Sequence, residues 1–374
     1  MRWKRNNSLW DIALYSGINV LFILKYGLRI APVCTTIGAC ALYIVVIAGV
    51  IWSIDLLVKK LNNHIIFLLM SIVVVGLVML QLHFDPYTLQ VDRWSAIHNF
   101  LHNLLNGTYP YAAQTHLGGY GSPFPVWQVM HLPFYLIGNV GLSFIVCLLL
   151  FIDAIRRLYG QHASLIALTL LLLSPAFIYE VCVRSDLMSN FLFCAAIIMY
   201  LCYFKVEFKR NWIALALISG LMLSTRISTI IPIAIYYFKD FCKGNIKQQA
   251  GFLILTTLVF ALTFLPFLLW NGNMLLFFEY NPFMLQTRQG HISDLPLLLT
   301  IGIWASLWWK GNWHRYMLSA AGCLLILVAV TFIHNMYDDS SWNQLFCSHY
   351  DITYFNMAMP FIIAALASKE ETAA

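Results

Sequence analysis

Apolar residues come in runs of close to twenty along the whole chain, each closed by a short polar or basic break. In a helix, about 20 such residues cross the roughly 30 Å hydrocarbon core of a bilayer, so each run predicts a membrane span. The spans fall near residues 12 to 30, 33 to 54, 64 to 83, 139 to 155, 162 to 181, 187 to 204, 212 to 224, 226 to 238, 250 to 270, 295 to 309, 316 to 334 and 352 to 367. The fold class this predicts is all-α, a polytopic transmembrane bundle of about 12 helices. Residues 1–63 are expected to form an N-terminal transmembrane hairpin, 64–367 the main transmembrane module and 368–374 a cytoplasmic tail. Lys25 interrupts the first run and no small-residue cleavage pattern follows it, so that run is read as mature sequence rather than a signal peptide.

Residues 84–138 break the rhythm. They are far longer than the about 4 to 6 residues of an ordinary connection. Within them, Trp94, Ile97, Leu101, Leu104 and Leu105 recur near helical spacing while Asp92, Arg93, His98, Asn99, His102 and Asn103 stay polar, which predicts an amphipathic helix lying in the membrane interface. Gly107 closes that helix, and Pro110, Gly118, Gly119, Gly121, Pro123 and Pro125 shape an irregular segment after it. A second departure lies between Asn211 and Lys239, where both flanks are basic and Thr225-Arg226 sits at the centre. Two short helices meeting at that dipeptide satisfy both features.

Composition sharpens this picture. Of the 374 residues, 61% are hydrophobic and 10% charged, against about 25% charged in soluble domains, so the chain cannot cover a water-facing surface. The net charge of +6 is dispersed through short loops, which excludes a nucleic-acid-binding patch and instead orients the chain. Arg2, Lys4, Arg5, Lys59, Lys60, Arg156, Arg157 and the stretches from Lys205 to Arg210, Lys239 to Lys247 and Lys310 to Arg315 all fall on one side, predicted to be cytoplasmic. The loops 84–138, 182–186, 271–294 and 335–351 face the other way, which puts the polar chemistry on the extracytoplasmic side of a cell membrane, with a bacterial inner membrane expected. Cys34, Cys40, Cys147, Cys194, Cys202 and Cys323 lie within apolar runs without paired spacing and read as small buried hydrophobes.

Two acids bracket the entry to the amphipathic helix. Asp85 precedes Pro86 as a turn former does, and Asp92 stands where a helix N-cap would. A carboxylate at a membrane face also suits a general base that deprotonates an acceptor hydroxyl. Arg184, Arg226 and Arg288 are among the few basic residues of the outer side, where charges at the membrane edge are costly enough to be functional candidates. The plainer readings are a snorkelling side chain, or an ion pair of Arg184 with Glu180 or Asp186. His131, His291, His334 and His349 sit at segment ends, where proton transfer competes with ordinary hydrogen bonding. Trp127, Trp270, Trp304, Trp308, Trp309, Trp313 and Trp342 read foremost as an interfacial belt. Clustered metal ligands are not evident, although Asp338 and Asp339 with Asp351 could hold a divalent ion.

The order of these features resembles the GT-C superfamily of polyprenyl-phosphate-sugar-dependent membrane glycosyltransferases, including the protein O-mannosyltransferase-like and polyprenol-dependent mannosyltransferase branches. The resemblance covers about residues 64 to 367. It rests on Asp92 early in the large loop, Asn106-Gly107-Thr108-Tyr109-Pro110-Tyr111, then Tyr120-Gly121-Ser122-Pro123-Phe124-Pro125. Ser174-Pro175 before Arg184-Ser185-Asp186, Leu223-Ser224-Thr225-Arg226, Pro266 to Trp270 with Asn281-Pro282, and Tyr350 to Pro360 follow in the family's order. The basic residue that often precedes the last tyrosine is missing, and the large loop follows the third span rather than the first.

The resemblance implies an inverting transferase that moves a sugar, mannose or another hexose, from a polyprenyl-phosphate donor to an extracytoplasmic glycan, lipid or protein acceptor. It implies Asp92 or Asp85 as base, Arg226, Arg184 and Arg288 as donor-phosphate contacts, and Tyr109, Tyr111, Tyr120, Asp186 and His131 around the substrate. No cofactor and no nucleic-acid partner are expected, and a divalent metal is left open. A transporter or lipid flippase, and a polymerase or ligase of lipid-linked glycans, are the competing readings. No internal repeat is visible, which counts against transporter folds built from duplicated halves.

Overall fold

The computed structural model describes residues 9–58, 61–309, 311–338 and 351–368. Its regular elements are helical, with one isolated bridge between Gln114 and Tyr120 among the described residues. In chain order the helices are α1 (Leu9–Gly27), α2 (Val33–Val58), α3 (Asn63–His83), α4 (Arg93–Leu105), α5 (Pro125–Met130), α6 (Leu132–Leu136), α7 (Leu142–Tyr159), α8 (Gln161–Leu172) and α9 (Pro175–Cys182). Then follow α10 (Leu187–Tyr203), α11 (Phe208–Leu223), α12 (Ile230–Cys242), α13 (Ile246–Leu276), α14 (Pro282–Thr287), α15 (Leu295–Trp308), α16 (Trp313–Asp338) and α17 (Met359–Ala367).

Among the described residues, five helices are long and apolar enough to cross a membrane: Leu9–Gly27, Val33–Ile54, Asn63–His83, Ile246–Leu276 and Trp313–Asp338. Large apolar side chains on α2, α3 and α13, such as Val45, Trp52, Phe67, Ile72, Leu253 and Leu269, are exposed, as lipid-facing residues are. The sequence pattern predicts about twelve spans. Several of the remaining apolar segments fold into helices too short for the test, Leu187–Tyr203, Ile292–Trp308 and Ile352–Ala367 among them. At about 1.5 Å per residue, the 17 residues of α10 reach somewhat less than the full hydrocarbon thickness.

The span expected at residues 162 to 181 is broken. α8 and α9 meet at an angle of 76° and count as a sixth span only if taken together. Pro175 explains the break, since its ring forbids the preceding turn from continuing as a helix. The backbone groups this strands are satisfied by side chains: the hydroxyls of Tyr15 and Tyr43 donate to the carbonyls of Leu170 and Leu173. Asn19 Oδ1 accepts from Ser174 Oγ at 2.6 Å and from the Ala176 amide at 3.3 Å, capping α9 from α1.

The chain forms two compact units, interleaved in sequence: Met1–Leu77, Leu149–Glu180 and His291–Ala374 in the first, Val78–Leu148 and Val181–Gly290 in the second. In the first unit, α17 is buried along its whole length, and its Ala364, Ala365 and Ala367 admit α1, α8 and α16 at close range. Asp11 and His314 form a buried 2.7 Å contact between the first turns of α1 and α16. In the second unit, α11 and α13 pack along their length, with Gly220 against Val259 and the Thr256 carbonyl. α4 rests on α5, α6 and the turn Pro110–Ala112.

Candidate functional site

The second unit holds a buried charged centre, built by the break between α11 and α12. Residues 224–226 leave helical conformation, with Arg226 extended at φ −152° and ψ 142° before a 3-10 turn at Ile227–Thr229. The first amides of α5 dock on this break: Phe124 N donates to the Thr225 carbonyl at 3.2 Å, and Val126 N to the Ser224 carbonyl at 3.1 Å. Gln286 holds the same turn from the other side, accepting from Ile227 N at 2.8 Å and donating to the Ser122 carbonyl at 2.7 Å. These bonds satisfy helix-terminal groups that would otherwise be stranded away from water. They also bring Trp127, near the start of α5, beside Arg226.

Arg226 Nη2 lies 2.8 Å from Asp186 Oδ2, and the side chains are 7% and 2% exposed. Trp127 Nε1 donates to the same oxygen at 3.0 Å. Burial by itself would raise the Asp186 carboxyl, but Arg226 above all, then Arg93 and His131, reverse the sign and hold it below the usual carboxylate range. His131, also buried, gives its Nδ1 proton to the Trp127 carbonyl at 2.7 Å, and burial holds its pKa below the ordinary imidazole value. Thr225 Oγ1 reaches Asn190 Oδ1 at 3.5 Å, which turns the Asn190 amide nitrogen away from it.

Three buried polar atoms here make no hydrogen bond: Asp186 Oδ1, Arg226 Nε and Asn190 Nδ2. Buried polar atoms are nearly always paired, so such a group in one region is a mark of a binding or reacting site. Comparison with protein-family models, curated proteins and solved structures gives no significant match.

Asp92 stands at the N-cap of α4, yet its side chain makes no capping bond. Its Oδ2 instead accepts the Thr115 hydroxyl at 2.7 Å, and a Cβ on Gly119 would come within 2.9 Å of that oxygen. Thr115 in turn accepts from the Gly119 amide at 2.9 Å, so the irregular segment folds back over the acid. Arg93, the next residue along, is one of the cations acting on Asp186. Asp85 is exposed and caps the turn Pro86–Thr88 through the Tyr87 amide at 3.0 Å.

The other sequence-predicted residues divide clearly. Arg184 sits in the left-handed region at φ 51° and takes neither acid suggested by its spacing; its Nη2 donates to the Gln81 and Phe84 carbonyls at 2.7 and 3.3 Å, closing the end of α3. Arg288 is exposed at the C-cap of α14. Tyr111 is buried against Phe100 and Phe267, and Tyr120 stacks on Tyr280 at 5.3 Å while accepting from Gln114. Tyr109 packs edge-on to Trp270, its buried hydroxyl has no partner, and burial pushes its pKa up to about 12. Of the expected set, the structure brings Arg226, Asp186 and His131 together, with Asp92 one residue from Arg93.

Trp127, Arg93 and Asn190 belong to the same neighbourhood and were not expected there, nor was Thr115 beside Asp92. Trp127 reads in sequence as one of many belt tryptophans, but it is 1% exposed. The signal that separates it is its position two residues after Pro125, at the start of a short helix, whereas belt tryptophans sit at the ends of long runs.

Proposed function

We propose that the chain is a GT-C-type glycosyltransferase that moves a hexose, mannose or a similar sugar, from a polyprenyl-phosphate carrier to an acceptor hydroxyl on the extracytoplasmic side of the membrane. The observation that carries this reading is the buried Asp186–Arg226 pair with an unpartnered guanidinium nitrogen, in the unit that also holds Asp92. In this mechanism Asp92 accepts the proton of the acceptor hydroxyl. The oxygen attacks the anomeric carbon, the bond from that carbon to phosphate breaks, and the phosphate leaves with the electron pair on the face opposite to attack.

Arg226 spends one nitrogen on Asp186 and keeps Nε–H for a phosphate oxygen, two donors that the guanidinium plane holds in a fixed geometry. Asp186 and Trp127 are positioning residues that fix the guanidinium plane. The Thr115 bond holds Asp92 while leaving its second oxygen for the acceptor. The position of the Asp11–His314 contact, in the first turns of its two helices rather than at mid-span, favours this reading over a proton-coupled transporter, which needs ionisable groups along a path through the bilayer.

The test is Arg226→Lys. Lysine keeps the charge facing Asp186 but loses the separate, plane-fixed donor at Nε, so the donor KM is expected to rise about tenfold or more, the order of one charge-assisted hydrogen bond, with the acceptor KM unchanged. Equal changes in both constants, or none, would remove Arg226 from the donor site.

A further inference from the structure

The first unit contains a group of ligating side chains that the transferase reading does not use. His291, His334 and Asp338 each offer one donor atom, and the three atoms lie within 4.8 Å of one another. His334 and Asp338 are four apart on α16, hence on one face of the helix, and His291 stacks on His334 with ring centres 3.7 Å apart.

Each imidazole has one nitrogen already engaged. His334 Nδ1 lies 3.1 Å from both oxygens of Asp294, and a carboxylate only accepts, so the proton is on Nδ1. His291 Nε2 lies 3.1 Å from Asn335 Oδ1, whose orientation is fixed because Asn335 Nδ2 donates to the Thr331 carbonyl at 2.8 Å. His291 therefore carries its proton on Nε2. The lone pairs left over are on His334 Nε2 and His291 Nδ1, and His334 Nε2 faces Asp338 Oδ2 at 3.6 Å. Two acceptors facing each other repel unless a cation lies between them. Outer acceptors that hold the far nitrogen of each histidine are the arrangement that orients imidazoles toward a metal.

We propose that His291, His334 and Asp338 bind a first-row divalent transition-metal ion, Zn²⁺ by preference, with Asp294 and Asn335 orienting the two imidazoles and a fourth position open to water. Two nitrogens and one carboxylate match zinc rather than magnesium, which takes oxygen ligands. Ligands held tetrahedrally at about 2.0–2.1 Å from one ion are about 3.4 Å apart, so closing the site from its present spacing, within 4.8 Å, takes side-chain movement of about an ångström. His291 and His334 are half-buried and Asp338 is exposed, which gives an ion access.

The competing account is an imidazolium at His334 shared between Asp294 and Asp338 with no metal. To separate them, the tag-free, detergent-purified full chain is stripped with chelator, titrated with ZnCl₂ and assayed for bound zinc. About one equivalent is expected to survive desalting and to resist excess MgCl₂. His334→Gln and, separately, His291→Gln lose it, Asp294→Asn weakens it about 10- to 100-fold, and the exposed His64→Gln binds as the parent does. Size-exclusion profiles identify any variant that fails to fold; Asp338→Asn, at an exposed position, then serves as the ligand deletion. No zinc on the parent chain, zinc displaced by magnesium, or zinc retained by folded ligand variants would each overturn the site.

Discussion

Arg226 and Asp186 meet at 2.8 Å almost wholly out of solvent, and each keeps one polar atom unpartnered. Removing one partner strands the other charge, so Arg226→Ala and Asp186→Leu should each destabilise the chain by about 3–5 kcal/mol. The double variant Arg226→Met/Asp186→Leu should cost much less than the sum, because neither charge remains. Thermal unfolding in one detergent checks this, and additive losses would show that the two residues do not act as a pair.

Acid should weaken the fold through two groups in separate windows. The folded-state pKa of His131 is lowered, so as pH falls through about 6.5 the unfolded chain takes up a proton that the folded chain refuses, and stability drops. The Asp186 contribution is present above the unfolded carboxylate value of about 3.9 and is lost only as pH falls through its lower folded value. Of these two groups, His131 is the one that contributes to the slope between pH 7 and 5. His131→Gln should flatten the fall in melting temperature over that interval, and an unchanged slope would place the sensitivity elsewhere.

Gly220 is required by the approach of α11 to α13. A Cβ there would stand 2.7 Å from Val259 Cβ and 2.8 Å from the Thr256 carbonyl oxygen. Backbone cannot give way as a side chain can, so Gly220→Ala should cost about 1–3 kcal/mol by overpacking. A melting temperature equal to the parent's would mean that these helices separate freely.

Thr115→Val removes the hydroxyl that holds Asp92 and keeps the shape. The expected result is a loss of turnover with little change in stability, partly recovered by Thr115→Ser. A variant as active as the parent would leave Asp92 without a positioning partner.

The all-helical class was legible because apolar runs need no partner information to be read, and Thr225-Arg226 showed its break through basic flanks on both sides. What could not be read depends on contacts distant in sequence. The 76° bend between α8 and α9 hides in an uninterrupted apolar run marked only by Pro175, and the groups that make it tolerable come from α1 and α2. The ends of Arg184 are equally non-local: its spacing suggests an acid, but a left-handed backbone turns it to the carbonyls of α3. Asp92 reads as a cap until Thr115, 23 positions on, is seen to hold it. His291 and His334 are separated by 43 residues and carry no motif, so only their stacking joins them.

Asp92, proposed as the base of a lipid-linked sugar transfer, is tested most directly by transfer from polyprenyl-phosphate mannose, with the glucose analogue in parallel, by the full chain in proteoliposomes, comparing parent with Asp92→Asn. The account predicts turnover by the parent and a fall of about 100-fold or more in a variant that remains folded, the scale of a lost general base. Transfer by Asp92→Asn at the parent's rate would contradict it.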